Sequence, residues 1–506
     1  MYPGAYDPAR TAVVTADGGR ALTYGQLEER SLRLADHLRA AGLRVGDHLA
    51  LLCENDPRVL EVHWAALRSG LYLTVVNHHL TADEAAYIVR DCGAKALIVS
   101  GPLAALGRAV RASAPDTALH LDLDDGSYEQ ALAGASPEPP DHQPRGTDML
   151  YSSGTTGLPK GIAPALPEGD VREEMSIYQL LFQPMYGFGE DSVYLCPAPL
   201  YHAAPLRFGY VVTATGGTVV LMDSLDSFDP REALAAIERH RVTHSQWVPT
   251  MFVRMLKLPE EVREAYDVSS LKVAIHAAAP CPVEVKRRMM DWWGPILYEY
   301  YSATEANGIT FAGPDEWLRK PGTVGRGGFL GELRICGEDG KVLPVGETGT
   351  VYFERDELPF RYHGDEARTR EAQHPEHPNW TTTGDIGHVD EDGYLFLTDR
   401  RAFTIISGGV NIYPQETENC LTLHPKVADV AVVGVPDAEM GEAVKAVVQP
   451  APGASPGPAL ERELLDFVRA RIAHYKAPRS IDFTDALPRT PTGKLAKSRL
   501  RKAYWA

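Results

Sequence analysis

Between Tyr151 and Gly161 the chain reads Tyr-Ser-Ser-Gly-Thr-Thr-Gly-Leu-Pro-Lys-Gly, which puts two serines, two threonines, three glycines and one lysine into eleven positions. These residue types suit the holding of a phosphate. Glycines let backbone N–H groups approach an anion closely, hydroxyls donate further hydrogen bonds, and the Lys160 ammonium adds compact positive charge. The spacing is not that of a Walker loop, because Gly161 rather than Ser or Thr follows the lysine. A Ser/Thr/Gly turn with no chemical role has the same composition, so further motifs must decide.

Two other patterns could carry chemistry. Gly453-Ala454-Ser455-Pro456-Gly457 satisfies the GxSxG form of a serine hydrolase. That nucleophile needs a tight strand-to-helix turn, whereas Ser455 is followed by proline in a Pro-rich loop. His374 and His377 invite a zinc reading, but neighbouring prolines break the helical spacing such a pair requires. The six cysteines (Cys53, Cys92, Cys196, Cys281, Cys336, Cys420) lie far apart without a CxxC pair and read as reduced thiols.

The elements that must position these groups follow from pattern. Leu27, Leu34, Leu38 and Ala41 recur at helical spacing, and His48 to Leu52 is a short apolar run. A helix over Arg58 to Ser69, a strand over Leu71 to Val76, a capping box at Thr81-Ala82-Asp83-Glu84 and a strand over Ala96 to Val99 follow. Such alternation predicts an α/β domain of largely parallel sheets covered by helices. After about residue 320, Gly331 to Ile335 and Gly349 to Phe353 alternate between Gly-rich turns, as in a small β subdomain. Beyond Arg400, strands at Val430 to Val435 and Val444 to Val448 with a helix at Leu460 to Ile472 predict a small α+β domain. The expected division is 1–402 for the N-terminal domain, with the β subdomain at about 320–400, and 403–506 for a C-terminal lid.

Composition sets outer bounds. The chain has 506 residues and a net charge of -18, which disfavours nucleic acid or an anionic membrane as the main partner, since both reward a basic face. The longest apolar stretches, Gly209 to Met222 and Val273 to Val283, fall short of the roughly 18 residues that span a bilayer. The N-terminus has no basic and apolar leader pattern, so a cytoplasmic protein is expected.

The phosphate-loop segment resembles the signature loop of the adenylate-forming superfamily of acyl-CoA synthetases, peptide-synthetase adenylation domains and beetle luciferases. Other segments match in the same order. Pro199-Leu200-Tyr201-His202 resembles the acyl-pocket motif, Ala277-Ala278-Ala279-Pro280 the end of the adenine-pocket strand, and Tyr300-Tyr301-Ser302-Ala303-Thr304-Glu305 the adenine-stacking and magnesium motif. Thr383-Gly384-Asp385 resembles the ribose-binding turn, Asp399-Arg400 the hinge region, Ser407 to Pro414 the loop after it, and Pro491-Thr492-Gly493-Lys494 the segment of the C-terminal catalytic lysine. The likeness covers nearly the whole chain. The Ala-, Arg- and Gly-rich usage fits a GC-rich bacterium, where such enzymes serve lipid breakdown and natural-product assembly.

The resemblance implies a two-step reaction: a carboxylate joins the α-phosphate of ATP, releasing pyrophosphate, and the acyl-adenylate then yields to a thiol. It assigns Ser152, Ser153, Gly154, Thr155, Thr156, Gly157 and Lys160 to the phosphates, Glu305 and Thr156 to magnesium, Thr304 to the same motif, and Lys494 to adenylation. Ala277, Ala278, Ala279, Tyr300, Tyr301 and Ser302 would border adenine, with Asp385 and Arg400 at the ribose. Tyr201, His202, Trp247, Val248, Thr250, Met251 and His276 make an apolar and aromatic acyl set without a basic partner, which points to a medium-chain, long-chain or bulky cyclic acid. Ser407, Gly408 and Gly409 would line the CoA channel, and CoA is the expected acceptor because the chain ends soon after Lys494.

The chain departs from the pattern twice. Phe403 stands at the hinge where relatives carry Asp or Lys, and Ala163 to Pro167 lacks a Thr-His pair. Both leave open an enzyme that performs one half-reaction, either transfer of a supplied acyl-adenylate to CoA or acyl-AMP formation for a carrier protein. A binding protein on the same fold and the GxSxG hydrolase are the remaining alternatives. A homodimer is compatible with the sequence.

Overall fold

Helix and strand alternate through the first half of the chain because apolar residues switch from a spacing of three and four to short continuous runs. In the computed structural model, which describes residues 2–152, 159–225, 228–489 and 495–505, this alternation builds one parallel sheet and the parallel part of a larger mixed one. The smaller has five strands in the order Leu119–Asp122, Ala94–Val99, His48–Leu52, Tyr72–Val75 and Thr147–Asp148, all parallel. The helix at Ala82–Asp91 starts at the expected capping box, with Thr81 accepting from the Glu84 amide and Glu84 accepting from the Thr81 amide.

The larger sheet has 14 strands. Six run parallel, in the order Thr11–Thr15, Thr218–Leu221, Val193–Cys196, His244–Trp247, Val273–His276 and Leu297–Tyr301. At Tyr301 the sheet changes character. The chain turns back into Ile309–Ala312, and Gly325–Leu330, Tyr394–Arg400, Asp385–Val389, Gly349–Glu354 and Glu332–Cys336 continue it antiparallel. The alternating runs after residue 320 thus extend the large sheet, because Gly325 and Arg326 pair with Leu395 and Tyr394.

A third, antiparallel sheet of three short strands, Leu150–Ser152, Lys160–Ala163 and Arg361–Tyr362, carries the ends of the phosphate-loop segment. The C-terminal part has its own five-stranded sheet, built on the long hairpin Val427–Asp437 and Gly441–Pro450, with the helices Pro414–Thr422 and Pro458–Arg469 packed against it. Its core of Ile405, Leu421, Val432, Val448, Leu464 and Val468 is wholly buried. This mixed α/β architecture agrees with the sequence reading. All six cysteines are free thiols, and no described helix is long and apolar enough to cross a membrane.

Candidate nucleotide and acyl site

The carboxyl end of the last parallel strand, Leu297–Tyr301, is where the sheet reverses, and open α/β sheets place ligands at such switch points. Tyr301 ends that strand. Its hydroxyl donates to Asp385 Oδ2 at 2.7 Å and its ring lies against Phe353, centroids 6.1 Å apart. Asp385 also accepts from the Thr383 hydroxyl at 2.7 Å and from Arg400 Nε at 3.1 Å. Asp385 and Arg400 face each other across antiparallel strands, so backbone register delivers the pair. Asp385 is buried, and three donors meet the requirement that a buried carboxylate be hydrogen-bonded. Burial and the adjacent Asp385 charge hold the Tyr301 phenol well above its ordinary pKa, and the same carboxylate raises that of Arg400.

After Tyr301 the chain turns. The Ser302 hydroxyl donates to the Gly308 carbonyl at 2.7 Å, and Ala306 takes a positive φ of 48°. Gly308 must be glycine here, since a Cβ would lie 2.0 Å from the Phe353 ring. The turn presents Thr304 and Glu305, both half-buried. Glu305 Oε1 accepts the Tyr362 hydroxyl at 2.9 Å. The Lys160 ammonium, from the neighbouring small sheet, sits over the same Tyr362 ring at 5.3 Å from its centroid. Burial lowers the Lys160 pKa, the Arg368 charge lowers it further, and Glu305 opposes both. Burial and Glu305 raise that of Tyr362. Local sequence gave no signal for Tyr362. It reaches the site because Tyr362 pairs with Ile162, two residues after Lys160.

Ser153, Gly154, Thr155, Thr156, Gly157 and Lys494 lie outside the described residues. Ser152 pairs with Lys160 across the small sheet. Ala277 is buried, whereas Ala278 and Ala279 are exposed, and Ala278 has a φ of 75°, a left-handed conformation that an alanine adopts at a cost. Tyr300 points to the other face, into the main core beside Phe182 and Phe208.

The acyl set divides. Tyr201 is buried, with its ring edge-on to His78 at 5.2 Å and tilted against His202 at 4.5 Å. His202 directly precedes the helix Ala203–Ala214, at its N-cap position and without a side-chain capping bond. Asn55 holds this loop: its amide donates to the Ala198 and Met222 carbonyls at 3.1 and 2.9 Å, and its oxygen accepts from the Leu200 N–H at 2.9 Å. Asn55 was not recognised from sequence, since nothing local marks a residue 145 positions away as a brace. Val248 precedes the helix Pro249–Leu256, on which Thr250 is exposed and Met251 buried. Trp247 is core, packed on Phe252 and Trp293 with its indole N–H donating to Ser245 Oγ at 2.7 Å. His276 is fully buried, with neither ring nitrogen hydrogen-bonded, and desolvation pushes its pKa far down. Glu299 lies 3.4 Å from it and accepts from Lys286 at 2.8 Å.

Between the two parts, Asp399 accepts from the Gln415 N–H at 3.1 Å, in the first turn of the helix Pro414–Thr422, where a carboxylate meets the positive end of the helix dipole. Phe403, half-buried, lies under the Lys497 ammonium at 5.4 Å, and Lys497 bonds Glu418 at 2.8 Å. Gly408 and Gly409, with φ of 58° and 79°, form the two-residue turn of a hairpin in which Ser407 faces Val410. The other patterns find ordinary places. Ser455 is exposed in the loop before the helix Pro458–Arg469, and His374 uses Nε2 on the Gly340 carbonyl at 2.7 Å and Nδ1 on backbone N–H groups.

The chain is similar to known proteins over nearly its whole length. The sequence matches the AMP-binding enzyme family over residues 4–361 and the AMP-binding enzyme C-terminal domain over residues 416–494. It is 36% identical to a feruloyl-CoA synthase of Amycolatopsis over 98% of this chain and 96% of that protein. It is 31% identical to the long-chain-fatty-acid–CoA ligase FadD13 of Mycobacterium tuberculosis over 99% and 96%. The crystal structure of ATP-bound MatB from Rhodopseudomonas palustris superposes with a TM-score of 0.82 at 30% identity, covering 98% of this chain and 96% of that one. The chain belongs to the AMP-binding enzyme family, as an acyl-CoA synthetase-like member of the adenylate-forming superfamily.

Proposed function

We propose that this protein is an AMP-forming carboxylate–CoA ligase that adenylates an apolar aromatic, long-chain or bulky cyclic acid and then transfers the acyl group to CoA. The observation that carries the reading is the convergence, at one sheet reversal, of the Tyr301–Asp385–Arg400 cluster with Lys160 and Glu305. The first cluster offers an aromatic face and hydroxyl acceptors suited to a nucleoside. The second offers a cation for phosphate oxygens and a carboxylate for a hard divalent ion.

Adenylation moves negative charge onto phosphate oxygens, which fixed cations stabilise best when little reorganisation is needed. Lys160, desolvated beside Tyr362, is such a cation. Lys494 is assigned to the same step. A magnesium ion, when bound, neutralises triphosphate charge; Glu305, half-buried with one oxygen taken by Tyr362, and the Thr156 hydroxyl would hold it, and that all-oxygen set fits the metal. Arg400 and Asp385 orient the ribose hydroxyls. Thiol entry falls to the Ser407–Gly409 hairpin, and Tyr201 and His202 border the acyl group. The mostly apolar surroundings of Val248 and Met251 favour uncharged acyl chains, and the similar proteins include a feruloyl-CoA synthase and a long-chain-fatty-acid–CoA ligase.

Mass spectrometry of products from a panel of fatty, aryl and polycyclic acids with ATP, magnesium and CoA tests the reading, with matched wells given synthetic acyl-adenylates. A CoA thioester from a free acid is expected. Thioester from the supplied adenylate alone would reduce the function to the second half-reaction, and acyl-AMP without thioester would move the acceptor to a carrier protein.

A further inference from the structure

Lys160 and Glu305 carry opposite charges, and the Glu305 charge raises the Lys160 pKa, yet among the described residues no ion pair joins them. Tyr362 lies between. Its ring takes the ammonium on one face at 5.3 Å, and its hydroxyl occupies one Glu305 oxygen at 2.9 Å. Packing holds the ring in place: Phe360 meets it edge-on at 5.2 Å, Ile162 and Ala372 complete a small buried cluster, and the Tyr362 N–H donates to Thr369 Oγ1 at 3.0 Å.

This arrangement has a chemical purpose. A lysine and a glutamate free to meet would form a salt bridge, and each would then have to be separated from the other before binding phosphate or metal. A cation on an aromatic face is held without surrendering its charge, and a carboxylate that accepts one phenol hydrogen bond keeps its second oxygen for another partner. The helix Glu366–Glu371, just after Tyr362, brings charges of both signs to Lys160: Arg368 lowers its pKa, while Glu371 and the N-cap Asp365, which pairs with Arg368, raise it as Glu305 does.

We propose that Tyr362 is a positioning residue for adenylation, an interposed phenol that keeps Lys160 and Glu305 apart and each available to the triphosphate and its metal. The inference rests on the function proposed above. It goes beyond it in giving a task to Tyr362, which that reading leaves without one.

The test compares wild type, Tyr362→Phe and Tyr362→Leu. Adenylation is followed by acid-dependent ATP–pyrophosphate exchange, and thioester formation from supplied acyl-adenylate is followed separately. The Lys160 amine is titrated by NMR after reductive 13C-methylation, assigned by its absence in Lys160→Gln. Loss of one hydrogen bond to a charged group predicts about tenfold slower adenylation in Tyr362→Phe, and loss of ring and hydroxyl together about 100-fold in Tyr362→Leu. Thioester formation from the adenylate stays within about threefold of wild type, since neither group serves that step. In Tyr362→Leu the Lys160 amine titrates at higher pH than in wild type, because it now pairs with Glu305, and adding Glu305→Gln reverses that rise. An unchanged Lys160 titration in Tyr362→Leu overturns the proposal, as does an equal fall of both half-reactions in Tyr362→Phe with lowered thermal stability. A wild-type protein without adenylation on any acid defeats the functional reading instead, and the Lys160 titration then decides the positioning claim by itself.

Discussion

Arg400 Nε stands 3.1 Å from Asp385 Oδ1, and the two residues are direct partners across adjacent antiparallel strands. Sheet register therefore sets their two backbones opposite each other. The remaining Asp385 oxygen takes the Tyr301 and Thr383 hydroxyls, so one carboxylate orients three side chains of the candidate nucleoside pocket. Asp385→Ala should raise the KM for ATP by about tenfold to 100-fold and lower stability by about 1–3 kcal/mol, because three donors lose their acceptor together. Pyrophosphate exchange and urea unfolding measure the two effects. An unchanged KM would remove Asp385 from the nucleotide site.

Ala278 holds a φ of 75° while exposed to solvent. Glycine there relieves a left-handed strain of about 1–2 kcal/mol and gives back part of it as unfolded-chain entropy. Ala278→Gly is expected to stabilise the protein by about 0.5–1 kcal/mol, and Ala278→Val to destabilise it by more than that. Paired urea titrations resolve the sign, and a destabilised glycine variant would contradict the assignment of strain.

Lys286 and Glu299 form a fully buried pair, 2.8 Å apart, with the ammonium 4.6 Å from the centroid of the Trp317 ring. Desolvation lowers the Lys286 pKa and raises that of Glu299, and their mutual attraction opposes both shifts. Glu299→Gln should cost about 3–5 kcal/mol, since it strands a buried cation, whereas Lys286→Met combined with Glu299→Leu should recover most of that loss. Equal instability of the single and double variants would mean that packing, not charge, dominates at this place.

His63 and His244 are buried, and desolvation draws both pKa values down to about 4. In the unfolded chain each takes its proton near pH 6.5, so the unfolded state binds more protons between about 6.5 and 4. Stability from the two neutral rings is complete above the unfolded value and is lost as pH falls through that window, by about 3 kcal/mol for each ring. Urea midpoints measured from pH 7 down to 5, above the carboxylate range, should fall steadily. His244→Gln should flatten the slope; an identical slope would place its proton uptake elsewhere.

Much of this was legible in the chain. The Thr81 capping box, the strand at His48–Leu52 and the long hairpin of the C-terminal sheet lie where periodicity put them, because each is decided by residues close in sequence. The candidate site was readable only as ordered motifs, since no single segment of it is distinctive by itself. Trp247 and His276 illustrate the limit: the strands His244–Trp247 and Val273–His276 are buried at every position, so no alternation marks which side chains face a cavity. Trp247 packs in the core instead. Tyr362 and Asn55 escaped notice for a related reason, since their partners lie 57 and 145 residues away and are brought near by strand pairing and loop packing.

Tyr301, Asp385 and Arg400 ride on the 14-stranded sheet, while Lys160 and Tyr362 ride on a separate sheet of three strands. Glu305, in the turn after Tyr301, and Tyr362 meet through a side-chain bond and not a backbone ladder. The pocket is thus assembled like a vice whose two jaws belong to different frames. The span between Arg400 and Lys160 is therefore set by side-chain contact between two sheets and not by strand pairing within one.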